Sequence, residues 1–248
     1  MELKTIQANA FRTLFEVLKD ILNDVNLVFD EKGVHLSTLD ISHVTFIDMH
    51  LLSDGFESYT CPQRILAGMN ILNTFKVFKT ITGNDILTLK MRDDNPTTLD
   101  FCIENTQKKT TSSFHMKLLE LNDDTYERPS LAMDVHTIVQ STVFQKIIRE
   151  MSNFADTVSI RRWKNKLTFK CDGDSIQQET DVECPDTDVD ITGVYSLKYI
   201  NMFIKATGIC SNIEIAHSSL GPISFKYSIA NLGDVTFFLA TLADDDTA

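Results

Sequence analysis

The chain carries the same apolar pattern twice, and that repetition limits the folds open to it more than any other feature. Phe11, Leu14, Phe15, Leu18, Val25, Leu27, Val34 and Leu36 return 133 positions later, without a gap, as Phe144, Ile147, Ile148, Met151, Val158, Ile160, Leu167 and Phe169. After a seven-residue change of register, Ile71, Leu87, Leu89, Leu99, Phe101 and Ile103 return 126 positions later as Leu197, Ile213, Ile215, Phe225, Tyr227 and Ile229. Two equivalent domains follow, and 248 residues are enough for each to close a core of its own. What repeats is buried-type residues rather than polar ones able to do chemistry, so the duplication is one of shape.

Two periodicities build each half. Phe11, Leu14, Phe15, Leu18, Ile21 and Leu22 form a stripe at helical spacing, with Phe144, Ile147, Ile148 and Met151 as its counterpart. A second helix is predicted over Ile71 to Ile81 in the first half and Leu197 to Thr207 in the second. Segments such as 87–91, 99–103 and 223–229 alternate apolar and polar residues with period two, as half-buried strands do. Turn residues at Glu31-Lys32-Gly33, Asp93-Asp94-Asn95-Pro96, Asp172-Gly173-Asp174 and Gly221-Pro222 separate them. Each half therefore reads as α+β, about two helices on one face of an antiparallel sheet. Between the halves, residues 120–130 lose periodicity and gather acids and a proline. The expected organisation is an N-terminal domain over 1–118, a connector over 119–133 and a C-terminal domain over 134–248, with 243–248 a solvated acidic tail.

Charge is segregated by element. The net charge is −12, which argues against a protein that coats nucleic acid with its whole surface. Yet the four predicted helices carry Arg12, Lys19, Lys76, Lys79, Lys146, Arg149, Lys198 and Lys205 against only Glu16, Asp20 and Glu150. Eight bases against three acids make the helices +5, which leaves −17 for the rest of the chain. On any one helix such lysines read as ordinary solvated residues. The same bias on four helices of an acidic chain points to a surface for phosphates that does not read sequence. No zinc finger, aromatic ribonucleoprotein motif or basic zipper is present to read bases.

Other classes find little support. The five cysteines are dispersed and never spaced C-x-x-C, so neither a disulfide framework nor a thiolate metal site is expected, and a reducing compartment is. Met1-Glu2-Leu3-Lys4-Thr5 has no charged-then-apolar leader, and no run approaches the roughly 18 apolar residues of a membrane span, so a soluble intracellular protein is expected. There is no phosphate-binding loop, nucleophile elbow or H-E-x-x-H helix, and no enzyme is expected. His35, His43 and His50 are evenly spaced but do not converge on a metal at strand and loop spacing, and no cofactor or metal is expected.

Six ordered segments carry a resemblance that runs the length of the chain: residues 18–23, 39–44, 53–59, 116–121, 199–207 and 227–240. In them the sequence resembles the eukaryotic-type DNA sliding clamp, the proliferating cell nuclear antigen family. The resemblance implies the DNA clamp fold, with two similar domains per chain and a head-to-tail, ring-forming homotrimer. Its helices line a hole around duplex DNA, and Arg12, Lys19, Lys76, Lys79, Lys146, Arg149, Lys198 and Lys205 fall at or beside its channel positions. It places one subunit-interface edge at Thr110 to Lys117, including Thr111, Ser113 and Phe114, and its mate near Asp174 to Asp181, including Ser175 and Gln177. Phe114 reads equally as a residue packed inside its own domain.

The family docks short partner peptides beneath the connector, which implies a pocket of Leu39, His43, Val44, Tyr126, Pro222, Phe238 and Ala240. On the residues alone, Val44 and Phe238 read as core. Tyr126 differs, because an aromatic in an acidic connector has little to bury against without a pocket or a partner. Arg128 in place of an aliphatic residue, Thr241 in place of a proline, a shorter segment between Gly173 and Tyr195, and the uncharged Thr13 and Asn153 depart from the family pattern. The expected function is a polymerase processivity factor that encircles duplex DNA. Its expected partners are a DNA polymerase, other replication and repair proteins and an ATP-dependent clamp loader, acting in the nucleus or, for a virus-encoded protein, a viral replication compartment. The alternative is a clamp-like, checkpoint-type interaction scaffold without a processivity role, with a metal-dependent nuclease a distant third.

Overall fold

The computed structural model describes residues 1–123, 126 and 132–242. Connector residues 124, 125 and 127–131, with the Arg128 substitution, and the acidic tail 243–248 lie outside the described residues. Packing divides the chain into two compact units. Unit 1 comprises Met1–Ile41, Asp48–Glu127 and Ile229–Val235, and unit 2 comprises Ser42–Ile47, Arg128–Ser228 and Thr236–Ala248.

In chain order the first run of elements is β1 (Glu2–Thr5), α1 (Ala8–Leu18), β2 (Asp24–Asp30), β3 (Gly33–Leu39), β4 (Thr45–Leu52), β5 (Ser58–Thr60), β6 (Ile65–Asn70), α2 (Ile71–Phe78), β7 (Ile86–Arg92), β8 (Asn95–Asn105) and β9 (Thr110–Lys117). Within unit 1 the antiparallel strands take two orders, β6-β2-β3 followed by the Asp48–Leu52 stretch of β4, and β5-β1-β7-β8-β9. Alternation sets the inner faces: Val25, Leu27 and Phe29 of β2, Leu87, Leu89 and Met91 of β7, and Leu99, Phe101 and Ile103 of β8 are buried. The buried side of α1 brings Phe11 and Phe15 against Phe78 of α2, ring centroids 5.7 and 4.6 Å apart, and Phe78 meets Phe101 at 5.6 Å. Each such side chain contributes about 1.5–3 kcal/mol by leaving water. Asn70 starts α2 by accepting the Asn73 N–H at 3.0 Å. Gly33, at φ 142°, presses so close to β4 that a Cβ would lie 1.9 Å from the Leu51 carbonyl oxygen, which leaves no room for any other residue.

The second run is β10 (Val135–Gln140), α3 (Ser141–Met151), β11 (Thr157–Trp163), β12 (Lys166–Asp172), β13 (Gln177–Glu183), β14 (Asp190–Ser196), α4 (Leu197–Phe203), β15 (Asn212–His217), β16 (Ile223–Ile229) and β17 (Gly233–Leu239). In unit 2 the strand orders are β13-β12-β11-β14, and β10-β15-β16 followed by the Thr236–Leu239 stretch of β17. These match β4-β3-β2-β6 and β1-β7-β8-β9 strand for strand, so the apolar repeat is a repeat of topology. The residue pairing agrees, since Phe29 faces Val34 as Arg162 faces Leu167, and Leu87 faces Ile103 as Ile213 faces Tyr227 within a two-residue step of register. Phe144 of α3 stacks on Phe225 at 5.5 Å, and Phe203 of α4 on Phe237 at 4.7 Å.

Two expectations change. Each half divides its strands between two sheets where one was expected. The second helices also end early, α2 at Phe78 and α4 at Phe203, although apolar spacing runs on to Ile81 and Thr207. There the chain tightens: Thr80 and Ile81 donate to Val77 and Phe78, three residues back, and Ile204–Gly208 is a 3-10 helix. Hydroxyls of Thr80 and Thr207 bond the carbonyls of Val77 and Ile204 at 2.8 and 2.7 Å, competing with the backbone donors that an α-helix needs.

Candidate functional site

The predicted cations divide by environment. Lys76 and Lys79 of unit 1, and Lys146, Arg149, Lys198 and Lys205 of unit 2, are exposed. On α2 the exposed face also carries Leu72 and Asn73 but no acid, and Lys76 Nζ donates to Asn73 Oδ1 at 2.9 Å. Both α2 lysines sit at the C-terminal end of the helix, where its partial negative charge favours them. Lys146 lies 3.8 Å from Glu150 one turn on, an exposed pair that holds either side chain weakly. Lys198 rests over the Tyr199 ring at 5.6 Å, and Lys205 lies on the 3-10 turn after α4.

Arg12 and Lys19 are more constrained. Arg12 Nη1 donates to the Ile81 carbonyl at 3.0 Å, tying α1 to the chain that leaves α2. Lys19 is 19 % exposed, pairs with Asp20 at 2.7 Å and covers the Phe75 ring at 5.3 Å, so its charge is already matched locally. Five of the six exposed cations are lysines, point charges that suit weak phosphate contact.

The two predicted edges are both real strand edges. Among the described residues β9 pairs only with β8 and β13 only with β12, so each stands at the edge of its sheet. Thr111 and Ser113 are exposed on β9; Ser175 is exposed in the bend before β13 and Gln177 at its first position. Phe114 stands opposite the buried Phe101 and shares its core-facing side, yet stays half exposed at the edge of its sheet. Sequence reading missed Ile176, an exposed apolar residue between Ser175 and Gln177.

The residues predicted for the peptide pocket fall in both units. In unit 1, Leu39 is half buried at the end of β3, and Tyr126 is 38 % exposed beside a groove bordered by Asn26, Leu36, Thr38 and Leu121. In unit 2, His43 is exposed at φ 58°, Val44 is half buried and accepts the Ala240 N–H at 3.1 Å, and Phe238 is buried 6.0 Å from the Phe46 ring. Pro222 is half buried and Ala240 exposed. Phe238 thus takes the core role that its residue type alone favours. Ile41 and Leu220, each 74 % exposed, are apolar residues that periodicity could not flag because they sit in loops.

Two further groups escaped the sequence reading because they assemble across strands. Trp163 is exposed between Arg161 at 4.9 Å and Lys164 at 4.3 Å, on the outer face of β11. Beside it, hydrogen bonds from Lys166 and Thr168 hold the Asp181 carboxyl below its ordinary pKa. His35 and His50 face each other in unit 1. Among the described residues the five cysteines are free of disulfides and no helix is long and apolar enough to cross a membrane.

Comparison with known proteins covers nearly the whole chain. Residues 1–127 match the family model "Proliferating cell nuclear antigen, N-terminal domain", and residues 129–242 match "Proliferating cell nuclear antigen, C-terminal domain". "Proliferating cell nuclear antigen 1" of Plasmodium falciparum (isolate K1 / Thailand) is 32 % identical over 269 residues, 99 % of this chain and 98 % of the relative. "Probable DNA polymerase sliding clamp 1" of Paramecium bursaria Chlorella virus 1 is 30 % identical over 251 residues, 97 % and 96 %. "Proliferating cell nuclear antigen" of Chaetomium thermophilum (strain DSM 1495 / CBS 144.50 / IMI 039719) is 28 % identical over 258 residues, 99 % of each.

Proposed function

Because the chain belongs to the proliferating cell nuclear antigen family, we propose that it is a DNA sliding clamp, a non-catalytic processivity factor that encircles duplex DNA and tethers a polymerase. The observation that carries this reading is the tandem match of both clamp domains over nearly the full chain. The charge pattern supports it, since six exposed helix cations stand on a chain of net charge −12. Weak, sequence-blind phosphate contacts let a closed ring slide, and tethering raises the polymerase's effective concentration at the primer end. In this reading 1–118 and 134–248 are the two clamp domains and 119–133 is their connector.

Ring closure follows from the repeat. β9 is the topological counterpart of β17, and β13 of β4. Inside unit 1, the chain entering β17 already runs against β4, with the Leu52 N–H donating to the Leu232 carbonyl at 2.6 Å. A second copy could meet this one by the same kind of pairing, β9 with Thr111, Ser113 and Phe114 against β13 with Ser175 and Gln177. Such a head-to-tail contact closes when its rotation divides the circle, here into a homotrimer. Partner peptides would use Leu39, His43, Val44, Tyr126, Pro222, Phe238 and Ala240, and an ATP-dependent loader would open the ring. The place of action is wherever DNA is being copied, the nucleus of a cell or the replication compartment of a virus. Light scattering over a range of concentrations tests the assembly: three times the mass of one chain is expected, and the mass of a single chain at every concentration would overturn it.

A further inference from the structure

Four side chains of unit 1 form one line: Asp30 at the end of β2, His35 of β3, and His50 and the buried Asp48 of β4. His35 Nδ1 and His50 Nδ1 lie 2.9 Å apart. Each ring turns its other nitrogen to a carboxylate, His35 Nε2 to Asp30 Oδ1 at 3.1 Å and His50 Nε2 to Asp48 Oδ1 at 3.0 Å. The carboxylates are themselves held. Asp30 accepts the Lys32 and Gly33 N–H groups at 2.8 and 3.2 Å, and Asp48 accepts the Ser37 hydroxyl at 2.7 Å. Burial alone would raise the Asp30 pKa, but hydrogen bonds from Lys32, His35 and Gly33 outweigh it and keep the carboxyl below its ordinary value.

A ring that gives its Nε2–H to a carboxylate keeps the Nδ1 lone pair, and here the two Nδ1 atoms stand 2.9 Å apart across one gap. Two nitrogens facing one gap, each ring with its second nitrogen on a carboxylate, are a geometry that can hold a cation.

We propose that His35 and His50 form a two-nitrogen site for a borderline divalent transition metal, Zn2+ in the first instance, with Asp30 and Asp48 as its outer carboxylates. Tetrahedral Zn–N bonds of about 2.0–2.1 Å hold two ligand nitrogens roughly 3.4 Å apart, so the rings need to part by only a few tenths of an ångström. A metal-bound histidine whose second N–H donates to a carboxylate is the arrangement that fixes tautomer and ring orientation in metal sites, and both rings here already have it. Imidazole pairs favour zinc, copper and nickel over magnesium and calcium, which take oxygen ligands. The site is reachable: the side chains of His35 and His50 are 17 % and 41 % exposed. Among the described residues no three His, Cys, Asp or Glu side chains form a metal centre, so water completes the coordination and the ion is exchangeable. The matching face of unit 2 carries Thr168 bonded to Asp181 and no imidazole pair, which sets the stoichiometry at one ion per chain. On binding, the cation takes the two Nδ1 lone pairs, any proton on Nδ1 leaves to solvent, and both Nε2–H bonds stay.

The test is calorimetric titration of untagged, chelator-stripped protein with ZnCl2, in two buffers of different ionisation enthalpy. The expected result is one Zn2+ per chain with release of up to one proton, lost in His50→Ala and in His35→Ala. Asp30→Asn should weaken binding about 10- to 100-fold. Circular dichroism checks that each variant is folded, and Co2+ substitution should show no thiolate charge-transfer band, which separates this site from the cysteines. Absence of Zn2+ binding by the native protein, a thiolate band, or unchanged stoichiometry in both folded histidine variants would overturn the proposal.

Discussion

Three equivalent strand positions carry opposite chemistry in the two units. In unit 1 they are Leu3, Phe29 and Met91, all apolar and buried. In unit 2 they are Thr137, Arg162 and His217, also buried. The equivalence rests on pairing: Leu3 faces Leu89 as Thr137 faces Ile215, and Phe29 faces Val34 as Arg162 faces Leu167. Arg162, 2 % exposed, spreads its donors over Thr137 Oγ1 at 3.1 Å and the carbonyls of Lys166 at 3.2 Å, Lys164 and Pro185. No carboxylate pairs with it among the described residues. A repeated fold therefore constrains the volume and direction of a side chain, not its polarity, and a buried polar group is compensated only where it finds partners, as Arg162 does. His217 is the opposite case. Both its ring nitrogens are buried without a hydrogen-bond partner, and burial, then the nearby Arg162 charge, pushes its pKa down to about 4.

The comparison can be broken most sharply at Arg162. Arg162→Ala should cost about 3–5 kcal/mol, because it leaves a cavity and strands a hydroxyl and three carbonyls. Phe29→Ala should cost a similar ~3–5 kcal/mol through the cavity alone. Arg162→Lys should recover little, since an ammonium lacks the planar fork of donors. Urea denaturation of the three variants measures this, and a loss under about 1 kcal/mol for Arg162→Ala would mean that the carbonyl network holds nothing.

His217 sharpens the contrast through pH. Its folded pKa of about 4 lies below the ordinary 6.5, so the unfolded chain takes up a proton that the folded chain refuses. The contribution is whole above pH 6.5 and is lost as pH falls toward 4, about 2 kcal/mol between pH 7.5 and pH 5. His217→Met, which restores the residue of unit 1, should flatten that part of the acid limb. An unchanged limb in urea midpoints measured across this range would contradict a neutral, buried imidazole.

The helices test where the units should agree. Lys76→Ala with Lys79→Ala, and Lys146→Ala with Arg149→Ala, should each lower the log–log salt slope of duplex binding by about 2, at ~0.9 per phosphate contact. Lys19→Ala should change it by less than about 0.5, because Asp20 already matches that charge. An equal effect from Lys19 would show that its pairing opens in the complex.

Most of the scaffold was legible because burial writes period and spacing into the chain. The 133- and 126-residue offsets land on buried helix and strand positions, and the charge bias of the helices survives as six exposed cations. The helix ends were not legible, since a 3-10 turn keeps apolar residues on the buried side after the α-helix has stopped. Arg162 was half legible: alternation with Val158 and Ile160 points it inward, but its acceptors lie in the 164–166 turn and at Pro185. The His35–His50 pair was hidden altogether, because it depends on the register of β3 against β4, and even spacing along the chain says nothing of that.

Encirclement is tested most directly by loading the protein onto nicked circular duplex, removing free protein, and measuring retention before and after a single cut. A sliding ring stays on the circle and is lost from the line. Equal retention on both would mean ordinary surface binding and would contradict a clamp.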